Sequence, residues 1–353
     1  MNKTEFIEAL EESFSFENIV LSGESLPAIT LKQVFFTDCQ FINIDFSQVQ
    51  FNRIRFVNCQ FINVSLNDAM LNMAEFSQCQ FQGVTWVRSV LEQVAFTECE
   101  LKDLDFSMSQ QNMCTYKGSA QKSVLFDGAN LAMLVQMKSQ LDNVSFTNAK
   151  LYKFVANDIE VADCVFDRAI IEKTSLSNTI FKGSSFQSVN FYAVQLNSCD
   201  LTGVDFSHCR IESCYFIGSQ LQHTSFVGAQ ASYSVFKGAD LSHADFSQAI
   251  VLGGSFEEII GEKVNFSKAE LSQTNWQEAS VVGSDFSGVK AQYADFSHAD
   301  LSNCSFHQAD VSSSKFHLTI EDNTHWTRAN RLGCSGTDLE LEQAQSWKIR
   351  KIQ

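Results

Sequence analysis

Residues 239–248 read Ala-Asp-Leu-Ser-His-Ala-Asp-Phe-Ser-Gln, and residues 294–303 read Ala-Asp-Phe-Ser-His-Ala-Asp-Leu-Ser-Asn. Each stretch is one five-residue unit written twice: a small residue, an acid, a large apolar residue and two polar ones. Stepping outward by five from the large residue gives Leu31, Phe36, Phe41, Phe46, Phe51, Phe56, Phe61 and so on to Trp326, a run of 60 positions without an insertion or deletion. Fifty-two of them are Leu, Ile, Val, Phe, Tyr or Trp, the exceptions being Gln111, Gln121, Gln136, Ala156, Ala231, Gly261, Ala291 and Glu321. Of the 32 Phe in the chain, 29 fall in this column or its extension back to Phe6 and Phe16. Self-similarity at a fixed period takes precedence over every other reading of a chain.

A second column, two residues before the first, runs from Ile29 to Thr324 and holds small or apolar residues without a single charge. Between Ile29 and Ile320 every charged side chain occupies one of the other three columns, which therefore face water. A period of five matches neither the 3.6 of a helix nor the 2.0 of a strand. It suits a chain that turns a corner every five residues, with the large residue filling the centre and the small one packed under the corner. Four such sides make a coil of about 20 residues, whose successive turns stack at the strand spacing of ~4.8 Å. Cys39, Cys59, Cys79 and Cys99 form a row at that interval. From Phe206 to Phe316, Phe and smaller aliphatics alternate at ten-residue steps, so opposite sides of the coil carry alike residues and fill a square bore without overpacking.

Units such as Ala239–His243, Ala244–Gln248, Ala294–His298 and Ala299–Asn303 resemble the pentapeptide-repeat family over about residues 14 to 330. The resemblance implies an all-β fold, a right-handed quadrilateral β-helix, here of about 15 coils and roughly 70 Å long. It divides the chain into an N-terminal cap helix (1–15), the β-helix (16–330) and a C-terminal cap with a short helix (331–353). Solenoids have raw ends that need covering. Phe6, Ile7, Leu10 and Phe14 predict a helical apolar stripe at one end. At the other, Thr337-Asp338-Leu339-Glu340 reads as a capping box, followed by a helix with acids first and Lys348, Arg350 and Lys351 last. Leu339, Leu341, Trp347, Ile349 and Ile352 are candidate cap or homodimer contacts, since similar rods pair through that end.

In the middle, Gln111, Gln121 and Gln136 point amides into the bore, at about 1–3 kcal/mol each if unpaired. Nearby Phe154 and Ala156 exchange the small and large columns, a swap that conserves volume. All eleven cysteines occupy the small inward column, as structural thiols suited to a reducing compartment rather than metal or disulfide chemistry. The seven histidines lie beyond residue 200 and read as solvated surface groups; His223 and His243 are spaced to stack one coil apart, with Asp240 and Asp245 too loosely placed to complete a metal site. No phosphate loop, nucleophile elbow, HExxH or convergent acid–base pair occurs, and a bore packed with Phe leaves no room for substrate. An enzyme, a cofactor and a metal are not expected.

A single Pro and 16 Gly leave little for linkers, which favours one body over several domains. There is no apolar run of membrane length, and residues 1–12 carry five charges with no signal-like apolar core, so the cytoplasm is the expected compartment. Lys+Arg 25 against Asp+Glu 41 gives −16, which argues against direct nucleic-acid binding. Asp200, Asp205, Asp240, Asp245, Asp285, Asp295, Asp300 and Asp310 all precede a central residue and form a candidate acidic binding face. Two functions are implied by the resemblance: a protein-binding scaffold or adaptor, as in members that serve bacterial secretion machinery, and an acidic DNA mimic that occupies gyrase or topoisomerase IV. Charge density tempers the second, because duplex DNA carries a charge per ~1.7 Å and this rod about one per ~4.4 Å.

Overall fold

A computed structural model describes residues 1–346. The chain divides into two compact units, Met1–Asn190 and Phe191–Gln353. In the first, three-residue strands form parallel ladders with a register of 20: Ser15–Glu17 pairs with Phe35–Thr37, Val20–Ser22 with Gln40–Ile42, and Thr30–Lys32 with Gln50–Asn52. The fourth side is carried by single bridges, Ser25↔Asp45, Asp45↔Ser65 and Ser65↔Thr85. The coil thus has four sides, and the middle residue of each strand is buried while its neighbours face outward. The fold is an all-β parallel solenoid with two small helices.

Regular strands account for about ten turns rather than the fifteen coils expected. The 20-residue register itself continues in the second unit as isolated bridges, from Asp200↔Gln220 to Lys315↔Ser335. Local sequence explains the change. The first unit flanks its central residue with extended-chain formers, as in Gln40-Phe41-Ile42 and Arg55-Phe56-Val57. The second flanks it with Asp and Ser, which favour turns, and its corners close with N–H to C=O bonds three residues back, as in Ala239 to Phe236, Ala244 to Leu241 and Ala299 to Phe296. At nearly every corner the residue two places after the central one has a positive φ, from 49° at Lys138 to 74° at Gly333, and most of these residues are not glycine.

Aromatic columns fill both bores. In the first unit Phe36, Phe56, Phe76 and Phe96 stack with centroids 4.9–5.0 Å apart and planes within 8°. In the second, two columns face one another: Phe216, Phe236 and Phe256 stack at 5.0 and 5.1 Å, Phe226 and Phe246 at 4.4 Å, and the columns meet edge-on, as at Phe236–Phe246 (5.5 Å, 86°). This is the arrangement predicted for opposite sides, and edge-on contact suits the ring quadrupoles. Phe154 and Ala156 are both buried, and Phe154 meets Phe146 edge-on at 6.4 Å, so the exchanged residue does fill the bore.

The three inward glutamines find partners from different sides of the coil. Tyr116 hydroxyl donates to Gln111 Oε1 at 2.9 Å, and Gln121 Nε2 donates to Gln136 Oε1 at 3.0 Å. Gln121 Oε1 is buried without a hydrogen bond.

Both ends are covered. Helix α1 (Lys3–Glu12) is opened by a reciprocal capping box between Asn2 and Glu5 and lays Phe6, fully buried, on Phe16 and Phe36 at 5.5 and 6.3 Å. Phe14 falls outside that helix and is 65% exposed, contrary to the predicted stripe. At the far end two central-column positions become charged: Arg331 forks onto Glu321 (3.1 and 3.4 Å), with its guanidinium 4.1 Å from the Trp326 ring centroid and 5.0 Å from that of Phe316. A planar cation can lie on a ring while keeping its edge wet, so this pair closes the aromatic column against water. Helix α2 (Leu339–Ser346) is capped by Asp338, not Thr337. Asp338 Oδ1 accepts the N–H groups of Glu340 and Leu341, and Thr337 instead accepts the N–H of Leu318.

The Gln121–Gln136 pair makes a sharp test of polar burial. Gln121→Leu or Gln136→Leu alone strands an amide and should cost about 1–3 kcal/mol. The double replacement should restore stability to within about 1 kcal/mol of the parent or exceed it. Chemical denaturation of the four proteins measures the coupling; additive losses would refute the pairing.

Candidate binding surfaces

The eight aspartates singled out in sequence are distributed by register. Asp200, Asp240 and Asp300 share one ladder, and Asp205, Asp245 and Asp285 the next; Asp295 lies beside Asn275 and Lys315, and Asp310 beside Lys290 and Asn330. Within a ladder neutral residues separate the acids, one at a time in Asp205↔Ser225↔Asp245↔Asn265↔Asp285 and two between Asp240 and Asp300. This keeps like charges from facing each other on adjacent turns, which would be destabilising. The separation also sets neighbouring carboxylates of a ladder two or three turns apart, ~9.6 or ~14 Å at the strand spacing.

Each of these aspartates has local work. Oδ1 accepts the N–H two residues on: Thr202 for Asp200, Ser207 for Asp205, Ser242 for Asp240, Ser247 for Asp245, Ser287 for Asp285, Ser297 for Asp295, Ser302 for Asp300 and Ser312 for Asp310. The distances are 2.8–3.1 Å. This Asx turn mimics a backbone turn and stabilises the corner. Burial pushes the carboxyls of Asp240, Asp295 and Asp310 upward, yet the N–H and hydroxyl groups of Ser242, Ser297 and Ser312, with Gln222, Gln277 and Gln292, outweigh it and hold all three below the usual carboxylate range.

The thiols are inward as expected: ten cysteines are buried and Cys334 is half-buried. Cys39, Cys59, Cys79 and Cys99 each donate to a carbonyl 23 residues earlier at 3.4–3.5 Å. Burial pushes Cys114, Cys164, Cys214 and Cys304 up to about 12, far from a reactive thiolate. His223 and His243 do stack, at 5.0 Å. Among the described residues no group of His, Cys, Asp and Glu is placed to hold a metal. His317 departs from the surface expectation. It is buried, meets His298 edge-on at 5.2 Å, and its Nδ1 accepts the Asp338 N–H, because the chain folds back over it to start α2.

At the C-terminal end Leu339 and Leu341 are exposed, together with Leu332, while Trp347, Ile349 and Ile352 lie outside the described residues. The sequence reading missed a second surface, at the N-terminal end. Phe14, Phe35, Ile54 and Met73 line a groove of about 620 Å³ beside Arg53 and Arg55, and Phe14 also borders an adjoining cleft of about 360 Å³ between α1 and residues 29–34. A signal was present: only Phe14, Phe35 and Phe154 depart from the central column. Phe154 is buried, and the other two face this groove. No helix among the described residues is long and apolar enough to cross a membrane.

Comparison with known proteins agrees with this geometry. The family description "Pentapeptide repeat region" matches residues 29–106 and 189–260, and "Pentapeptide repeats (8 copies)" matches 265–303 and 282–317, together more than half of the chain. The protein belongs to the pentapeptide-repeat family. Similar solved structures include HetL of Nostoc sp. strain PCC 7120, a protein involved in heterocyst differentiation regulation, at 17% identity over 67% of this chain and 87% of its own, with a TM-score of 0.25. Rfr23 of Cyanothece 51142 matches at 18% over 40% and 90%, with a TM-score of 0.21. QnrB1, a plasmid-mediated fluoroquinolone resistance protein, matches at 16% over 94% and 96%, with a TM-score of 0.16. No curated sequence matches the chain.

The Asx turns lead to two measurable outcomes. Asp245→Ala should lose about 1 kcal/mol, whereas Asp245→Asn, which keeps the acceptor, should stay within about half of that. A carboxyl whose folded pKa is depressed stabilises fully above its unfolded value of ~3.9 and loses that contribution as pH falls through the folded value. The thermal midpoint should therefore hold between pH 7 and about 5 and fall below about pH 4. Replacing Asp240, Asp295 and Asp310 together by Asn should flatten that fall, and an unchanged acid limb would contradict the assignment.

Proposed function

We propose that this chain is a non-catalytic, cytoplasmic protein-binding scaffold or adaptor, of the kind that serves as an accessory or effector of a bacterial secretion system. The observation that carries the reading is the filled bore. Stacked rings such as Phe56–Phe76 at 4.9 Å and Phe286–Phe306 at 4.6 Å occupy the interior of each unit, so recognition falls to the outside. Ten of the eleven cysteines are buried in the small inward column, as structural thiols suited to a reducing compartment. A homodimer through the C-terminal end is part of the reading, supported by the exposed Leu332, Leu339 and Leu341.

The second reading is an acidic DNA mimic acting on gyrase or topoisomerase IV. The aligned ladders of Asp200, Asp240 and Asp300 and of Asp205, Asp245 and Asp285 favour it. Their spacing opposes it, since carboxylates ~9.6 Å or more apart along a ladder are far sparser than phosphates at ~3.4 Å per strand. One oxygen of each is also committed to its own corner.

Two measurements on the full chain separate the readings. DNA supercoiling by purified gyrase and decatenation by topoisomerase IV should be unaffected by micromolar protein, with and without fluoroquinolone, while crosslinking in cells should yield a protein partner at near-equal stoichiometry. Inhibition or drug protection that disappears when the six ladder aspartates are changed to Asn would establish the mimic and reject the scaffold.

A further inference from the structure

The register of the first unit places residues 10–12 ahead of Thr30–Lys32, but those residues belong to α1, so Thr30–Lys32 is the end strand of its sheet. Its far side is used: it pairs with Gln50–Asn52, and the Gln50 N–H donates to Ile29 C=O. On the near side the coil pattern calls for donors at Thr30 and Lys32 N–H and acceptors at their carbonyls. None of the four has a main-chain partner there among the described residues; the Ala9 carbonyl, which the pattern would offer to Thr30, accepts the Ser13 N–H instead. Both Thr30 and Lys32 are exposed. An open edge of this kind is a template for another strand.

The same edge opens onto apolar walls. Ile7 and Leu10 of α1 border the cleft on one side, and Phe14 joins it to the groove around the corner, where Phe35 and Met73 are 45% and 43% exposed. Charge at this place runs against the rest of the protein. The lining holds Lys32, Arg53 and Arg55 against Glu11 and Glu75, a local net of +1 on a chain of −16. Arg55 is paired with Glu75 at 2.7 Å and lies 6.0 Å from the Phe35 ring centroid, whereas Lys32 and Arg53 form no ion pair among the described residues.

We propose that the edge and groove capture an extended, apolar and acidic segment of a partner protein by strand addition. Its backbone pairs with Thr30–Lys32, its apolar side chains cover Phe14 and Phe35, and its carboxylates meet Lys32 and Arg53. A second copy of this chain suits the site poorly, because a two-fold contact would set these cations against their own equivalents. The inference rests on the reading of the chain as a binding protein and assigns that binding a place and a chemistry.

The test uses the full chain and a fluorescein-labelled decapeptide of alternating Leu and Glu, followed by fluorescence anisotropy. Saturable binding in the micromolar range is expected. It should weaken at least about ten-fold, the equivalent of ~1.4 kcal/mol, when every second peptide nitrogen is methylated in one register but not in the other, when Lys replaces Glu, or in the Phe14→Asp and Arg53→Glu proteins. Both residues are solvent-facing, and an unchanged thermal midpoint verifies that the variants fold. Absence of binding up to millimolar peptide, undiminished binding of both methylated peptides or of the Lys peptide, or a dimer in sedimentation that Phe14→Asp disperses would each overturn the proposal. A cellular partner that still crosslinks to Phe14→Asp would reject this site while leaving the scaffold reading intact; failure to find any partner would reject the scaffold reading itself.

Discussion

Rings twenty residues apart must stack at a distance set by the backbone. Adjacent turns of a parallel coil lie ~4.8 Å apart, and the aromatic pairs keep close to that value, from 4.2 Å at Phe256–Trp276 to 5.6 Å at Trp276–Phe296. Because the two spacings agree, one turn of the coil advances both the hydrogen-bond ladder and the aromatic column by one step. A single inserted residue would shift every later ring out of the bore, which accounts for a frame that runs unbroken over 60 units. Burial of the column also supports conformations that cost energy locally. Left-handed backbone at non-glycine corners such as Asn18, Arg88 and Tyr233 is unfavourable taken singly, and it persists because the packed interior dictates where each corner falls.

The acidic column has the same origin. Aspartate before the central residue supplies an acceptor for the N–H two positions on, so its recurrence at Asp205, Asp245 and Asp285 follows from turn chemistry before any partner is considered. Net charge is then a consequence of how corners are built, and the surface features that the repeat does not explain lie where it stops. At both ends the regular pattern gives way to other devices: Phe6 and α1 at one, the Glu321–Arg331 fork and Asp338-capped α2 at the other. Those are the places where main-chain groups and apolar side chains lack the next turn to cover them.

The central and small columns, the 20-residue coil, the four-sided section, the buried thiols and the compensating Phe154–Ala156 exchange were all determined by the sequence alone, because a period of five admits one way to hide its large residues. Tertiary structure decided what depends on directions rather than positions. Gln121 pairs with Gln136, fifteen residues away, because a polar group inside a closed bore takes whichever neighbour its rotamer can reach. His317 is buried, and Asp338 rather than Thr337 caps α2, because the chain folds back at the end of the repeat. The open edge at Thr30–Lys32 exists because α1 leaves the coil register to carry Phe6 over the bore, and a strand's missing neighbour is a fact of space that no column of letters records.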